Sequence, residues 1–444
     1  MQPLGYNFYH KNKICTFIAV NNMTQELLLP ILFVLLFSII IGSNYFFTNN
    51  SISKKILLIG FSLKVISAIL FGYFYKVGLL TGGDTYMYFN DGNIIYGTLK
   101  SDIFTYLKLS IGSNDFKPVP SYLLPYTDAM YFWFDSSNYF IVRLNAIIRL
   151  FSFGVYNVHA IVFAFLSFIG TYNIYLFFEN KVISKKVLQF ILFGIPSIVF
   201  WTSGIHKEAI VIFSLGIILQ NLDKILNNTA TRRNIFYTIF GLILLGYIRV
   251  YLLAFILPLM TAIILYYRID NKIQSIKIFS FCALLFGIAI LSIDKFFPNV
   301  SFFQEFIIRR NYFINSVGNM SFPVETIPHN FKGILLLIWE AISNPFIRPL
   351  PNECNGILSY LASLETILLL FITLLLIFST NIKSLFNNPY AIFSILFGLS
   401  ILFLIGLIVN NSGAIVRYRS IAIPFILIGL CLKRPQKKIV LISS

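Results

Sequence analysis

Apolar runs of about 20 residues, each ended by polar or basic positions, recur along this chain, which is the length a helix needs to cross a bilayer. The pattern predicts spans over 27–47, 56–75, 155–178, 187–201, 205–222, 235–248, 250–267, 276–293, 357–378, 389–409 and 420–432. These are continuous stretches of Leu, Ile and Phe. The strict alternation of a membrane β-barrel is missing, so the expected class is all-α, a polytopic transmembrane helical bundle of about 11 spans. Two long segments, 76–154 and 294–356, are too polar to cross. Within them, Tyr139–Phe153 and Ile334–Ile342 show the one-sided apolar pattern of helices that lie in a membrane interface. The whole of 1–444 is expected to be one integral membrane domain.

Composition supports this class and limits the functions open to it. Of 444 residues, 57% are hydrophobic and only 11% charged, too few charges for a water-soluble surface. The net charge of +17 comes with short basic loops: Lys54/Lys55, Lys181/Lys185/Lys186, Lys224/Arg232/Arg233, Arg268/Lys272/Lys277, Lys383 and the tail Lys433/Arg434/Lys437/Lys438. With alternating spans, all of these fall on one side. The positive-inside rule makes that side the cytoplasm and explains the charge without nucleic acid as a partner. The first residues lack a basic stretch followed by a small-residue cleavage site, so the spans themselves are expected to direct insertion. Cys15, Cys282, Cys354 and Cys431 are scattered, and His159 and His329 stand apart from them, so neither a disulfide framework nor a metal site is read. No cofactor is expected, and a divalent metal has no support in the sequence. The nucleotide-binding glycine motifs are missing as well.

The candidate chemistry collects on the opposite, outer side. Directly after the second span comes Gly82-Gly83-Asp84-Thr85-Tyr86-Met87-Tyr88-Phe89-Asn90-Asp91-Gly92. Asp84, near the apolar boundary, is suited to act as a base. Tyr86 and Tyr88 offer rings and hydroxyls to a sugar, and Asn90 and Asp91 can bond its hydroxyl groups. Between two spans, Thr202-Ser203-Gly204-Ile205-His206-Lys207-Glu208 puts His206 and Lys207 at a helix start, where free N–H groups favour an anion. The plainer alternative there is a capped hairpin with Lys207 and Glu208 as a solvated pair. Arg249 separates two spans, Arg348 lies in the proline-rich turn Ile347-Arg348-Pro349-Leu350-Pro351, and Arg417 and Arg419 stand at the expected mouth of the last span. Arginine suits a phosphate ligand, because its planar fork matches the oxygens and keeps its charge. Glu353 and Glu365 are read as structural, and Lys64 is the one charge clearly inside a span.

The segment Gly83-Asp84-Thr85-Tyr86-Met87-Tyr88 after a span, with Arg417-Tyr418-Arg419 late in the chain, resembles GT-C type membrane glycosyltransferases, including the RgtA/B/C/D-like and dolichyl-phosphate-mannosyltransferase-like families. The resemblance implies Asp84 as catalytic base, Arg417 or Arg419 on the lipid phosphate, and single-displacement inversion. It also implies a polyprenyl-phosphate sugar donor and a glycan or lipid acceptor, with membrane lipid around the chain. The expected setting is cell-surface polysaccharide synthesis at a bacterial inner membrane, with the site on the outer face. Those families carry one span before the acidic loop, whereas two precede it here. Their second acidic residue is matched only loosely, by Asp91 or Asp128. Phe200-Trp201-Thr202-Ser203-Gly204-Ile205-His206-Lys207-Glu208 and Ile347–Pro351 also look like stretches of membrane proteins from surface-polysaccharide synthesis. A polysaccharide polymerase or ligase acting on lipid-diphosphate-linked glycans is therefore the alternative, and a lipid-linked sugar transporter the third reading.

Overall fold

The computed structural model describes residues 6–48, 51–80, 83–114, 118–269, 274–296, 302–315, 320–324 and 331–433. Gly82, Lys272, His329, Arg434, Lys437 and Lys438 lie outside them. The described chain is helical, and its only β pairing is two isolated bridges. Leaving out single-turn helices, the elements are α1 (Tyr6–Ser43), α2 (Lys54–Lys76), α3 (Thr85–Thr98), α4 (Ile103–Ile111), α5 (Ser136–Ser152), α6 (Tyr156–Phe178), α7 (Lys185–Phe193), α8 (Pro196–Trp201) and α9 (Lys207–Leu226). They continue with α10 (Arg232–Ile248), α11 (Val250–Arg268), α12 (Ser275–Phe296), α13 (Phe302–Asn315), α14 (Phe331–Ile347), α15 (Ile357–Ser379), α16 (Pro389–Ile408) and α17 (Ser412–Leu430).

Among the described residues, eight helices are long and apolar enough to cross a membrane: Gln25–Ser43 within α1, then α2, α6, α9, α11, α15, α16 and α17. The chain is thus a multi-pass membrane protein. Of the other three expected spans, 187–201 is divided. Pro196 lacks an N–H and disfavours helix at the residue before it, so α7 stops, Ile195 is extended (φ −73°, ψ 118°) and α8 starts afresh. The last span begins at Ser412 rather than Ser420, because Asn411 caps it by accepting the Ala414 N–H at 3.0 Å. Arg417 and Arg419 are therefore helical residues inside α17, not part of a loop at its mouth.

Two compact units make up the chain: Met1–Phe168 with Ser203–Ile210, and Ile169–Thr202 with Val211–Ser444. In the first, α1, α2 and α6 pack together through phenylalanines, with Phe37 of α1 stacked on Phe165 of α6 (4.1 Å between centroids) and Phe61 of α2 edge-on to Phe168 of α6 (5.7 Å). Beside these helices lies the pair α3 and α5, in contact along their length. Their close approach depends on Gly92, where an added Cβ would stand 2.7 Å from the Asn145 Cβ. Asp135 caps α5 by accepting the Asn138 N–H at 3.0 Å. At the other end Phe153 (φ 50°) and Gly154 (φ 81°) turn left-handed, stopping α5 just before α6. In the second unit α16 packs along α17 and α14, with Gly406 against the Ala341 backbone.

Candidate functional site

Asp84 occupies the capping position of α3, yet its side chain makes no capping hydrogen bond. Half-buried, it places Oδ2 3.4 Å from the hydroxyl of Tyr88, one turn on. Tyr88 is fully buried and stacked on Phe132 (4.7 Å), and its hydroxyl donates to Asn138 Oδ1 at 2.6 Å. The Asn138 amide in turn donates to Asp135 Oδ2 at 2.7 Å. Asp135 also accepts the Ser137 hydroxyl at 2.8 Å, and that hydroxyl accepts from Lys207 Nζ at 2.7 Å. One hydrogen-bonded line thus runs from Asp84 on α3, across the start of α5, to Lys207 at the start of α9, all within the first unit.

Electrostatics at Asp135 favour its charged form. Partial desolvation raises the Asp135 carboxyl, but the Lys207 ammonium, with the Asn138 N–H and the Ser137 donors, outweighs it and holds Asp135 below the ordinary aspartate range. Lys207 itself is 7% exposed. Lys207 and Glu208 are both buried, so neither is solvated. Glu208 is buried and takes the His206 Nδ1–H, with His206 set edge-on to Phe71 (5.6 Å between centroids) and Tyr88 (6.4 Å). Gly204 lets this turn close against the Phe71 ring.

Other residues expected at a sugar also make contacts within the fold. Asp91 is 4% exposed, and its carboxylate accepts the N–H groups of Tyr131 (3.2 Å) and Phe132 (2.9 Å), pinning the turn that backs Tyr88. Burial raises its carboxyl and the two N–H donors oppose that rise. Tyr86 stacks on Tyr156 (4.5 Å, 20°) and donates its hydroxyl to Gly72 O at 3.2 Å, so one ring face is already used. Burial also raises its phenol. Asn90 is exposed. His159 is the middle of a buried chain, its Nε2 2.7 Å from Ser152 Oγ and its Nδ1 2.8 Å from Asn145 Oδ1. With all three side chains fully buried, this chain ties α5 to α6. Lys64, also buried, donates to Ser167 Oγ at 2.8 Å.

The arginines belong to the second unit. Arg249, between α10 and α11, and Arg417 on α17 both lie against the ring of Tyr418, at 5.0 and 5.2 Å from its centroid. Arg348 pairs with Glu353, donates to Asn344 Oδ1 at 3.0 Å and covers the Phe322 ring at 3.7 Å. Glu353 also accepts the Ser412 hydroxyl at 2.9 Å, fixing the start of α17. Arg419 is 2% exposed, donates to the carbonyls of Arg348 (2.7 Å) and Pro345 (3.4 Å), and bonds Thr366 Oγ1. Its guanidinium is a clasp for the turn after α14. Glu365 accepts the Ser197 N–H at 3.0 Å at the start of α8.

No family model, curated protein or solved structure matches this chain.

Sequence reasoning missed Asp135, Ser137 and Asn138. Their signal was the run Asp135-Ser136-Ser137-Asn138 ahead of an apolar stretch, a helix-start pattern that extends α5 upstream of Tyr139. Among the described residues, no three His, Cys, Asp or Glu side chains gather as a metal-binding group.

Proposed function

We propose that the chain is a membrane glycosyltransferase that moves a sugar from a polyprenyl-phosphate carrier to a hydroxyl of a glycan or lipid acceptor during cell-surface polysaccharide synthesis. The reading takes eleven crossings with the basic loops in the cytoplasm, which puts Asp84 and Lys207 at the outer face of a bacterial inner membrane. The observation that carries it is Asp84: a carboxylate at a helix start, spared from capping and facing a buried tyrosine in a line that ends on a buried lysine.

In this mechanism Asp84 takes the proton of the acceptor hydroxyl, and the freed oxygen attacks the anomeric carbon. The bond from that carbon to the phosphate oxygen breaks, and the carrier phosphate leaves with the electron pair. Tyr88, held by Asn138, orients Asp84. Lys207 is the first unit's cation for the departing phosphate, a role that removes charge as it develops. Of the arginines in the second unit, taken by themselves, Arg249 and Arg417 gather on Tyr418, while Arg348 and Arg419 hold structure.

Replacing Asp84 by Asn in the producing cell tests the reading. The expected result is a surface glycan lacking one sugar, with the protein present at normal level. An unchanged glycan overturns the proposal, and accumulation of single lipid-linked repeat units replaces it with a polymerase.

A further inference from the structure

Helix α4 is amphipathic in the sense opposite to that of a helix in water. Its outward stripe is Ile103, Phe104, Leu107 and Ile111, exposed by 54%, 78%, 44% and 74%. These positions fall on one side of a helix. The inward side carries Thr105, Tyr106 and Ser110, each about 5% exposed, beside the fully buried Leu109. Two of these inner residues are engaged with α5: the Tyr106 hydroxyl donates to Ala146 O at 3.4 Å, and the Tyr139 hydroxyl donates to Leu109 O at 2.9 Å. The helix hides hydroxyls and displays Phe and Ile.

Its orientation is set at both ends. Asp102 caps it, accepting the Phe104 N–H at 2.9 Å and the Thr105 hydroxyl at 2.6 Å. Arg143 of α5 donates to the carbonyls of Leu109 and Gly112 at its close. The stripe therefore cannot turn inward without breaking these bonds.

What covers it follows from its place in the chain. α4 lies in the segment between α2 and α6, both long and apolar enough to cross a membrane, so each end of the segment is attached at a bilayer surface. Lys108 on α4 meets Tyr122, its ammonium 5.0 Å above the ring. Lysine and tyrosine are the residues that settle at headgroup level, stems and rings in the apolar layer and polar ends in water. Area argues the same way. The four exposed side chains amount to on the order of 500 Å², less than the ~800 Å² per partner of a standard protein interface. A helix lying in the interface needs only its apolar face sunk about 5–10 Å below the headgroups.

We propose that α4 is an interfacial anchor, its Ile103–Ile111 stripe seated in the headgroup–acyl boundary of the bilayer. In this position it carries its neighbours α3 and α5, with Asp84, Tyr88 and Asn138, close to headgroup depth. The anchor stands independently of the transferase reading.

Nitroxide accessibility in lipid nanodiscs tests it. The full chain, with Cys15→Ser, is reconstituted in phosphatidylcholine and phosphatidylglycerol; Cys282, Cys354 and Cys431 are buried. Labels are placed singly by Phe104→Cys, Leu107→Cys and Ile111→Cys, with exposed Lys100→Cys as the aqueous reference. Each labelled protein is first required to elute as the wild type does. At all three stripe positions, oxygen collisions are expected severalfold above those at position 100, with an aqueous nickel chelate excluded. Nickel access at 104 and 111 equal to that at 100 overturns the proposal. So does exclusion of both reagents, which would mean that protein, a second copy or another partner, covers the stripe.

Discussion

Lys207 Nζ lies 2.7 Å from Ser137 Oγ, and through that contact a lysine at the start of α9 meets Asp135, the cap of α5. Asp135 is held below its ordinary value, with Lys207 the largest of the influences that lower it. A depressed folded-state value adds stability above the unfolded aspartate range, near pH 4, and that stability is lost as pH falls through the lower folded value. Wild type is therefore expected to melt higher than Lys207→Met at pH 7, with the gap closing on acidification below about pH 4. Melting curves of the two proteins in the same detergent across that range check this; a gap independent of pH refutes the pairing.

Tyr88 and Asn138 form the buried joint between α3 and α5. Asn138→Ala leaves the Tyr88 hydroxyl facing its acceptor's empty place, which costs about 1–3 kcal/mol. Tyr88→Phe removes both the donor and the group facing Asp84. A double-mutant cycle should give a coupling of about 1 kcal/mol in thermal stability, since the two substitutions delete the same bond. Transfer is expected to fall in Tyr88→Phe, which removes the group facing Asp84. Additive stabilities would show that the bond does not link the helices.

How much of this was legible in the sequence depended on which signal a residue carried. Long apolar runs such as 357–378 and 389–409 are nearly those of α15 and α16, because lipid permits only helices there. Breaks read from length alone were less secure: Pro196 divides one expected span, and the Asn411 cap moves another upstream. Asp84 could be singled out, since a carboxylate beside a span end is conspicuous. Its partners could not, because Asn138 lies 50 positions from Tyr88 and the pairing exists only once α3 and α5 pack. The same limit explains Arg419. Sequence shows an arginine next to Arg417, and only the fold distinguishes one clasping carbonyls from one lying on a tyrosine.

That contrast can be measured. Arg419→Met leaves two carbonyls and a threonine hydroxyl without their donor in a buried place, and a loss of about 3 kcal/mol is expected. Arg417→Met, two residues earlier and half-buried against Tyr418, should change melting little while weakening retention on immobilised polyprenyl phosphate. Thermal melts and the binding assay on both variants separate the roles. Loss of stability in Arg417→Met with none in Arg419→Met would reverse the assignment.

Gly92 limits how closely α3 and α5 can pack, and with it the position of Asp84. An added Cβ would meet Asn145 Cβ at 2.7 Å, and both Ala146 N and Val142 O at 3.1 Å, so two of the three obstacles are backbone. Backbone cannot rotate away, and the helices must separate. Gly92→Ala is expected to cost about 1–3 kcal/mol despite alanine's better helix propensity, which alone would favour it by roughly 1 kcal/mol. Asn145 also holds His159 at 2.8 Å, so the shift would loosen the tie between α5 and α6. Compared with Gly97→Ala, where nothing lies within 4 Å of the added carbon, the difference isolates packing from propensity. Gly97→Ala should stabilise or leave melting unchanged, Gly92→Ala should lower it, and equal effects at the two glycines would refute the close approach of the helices.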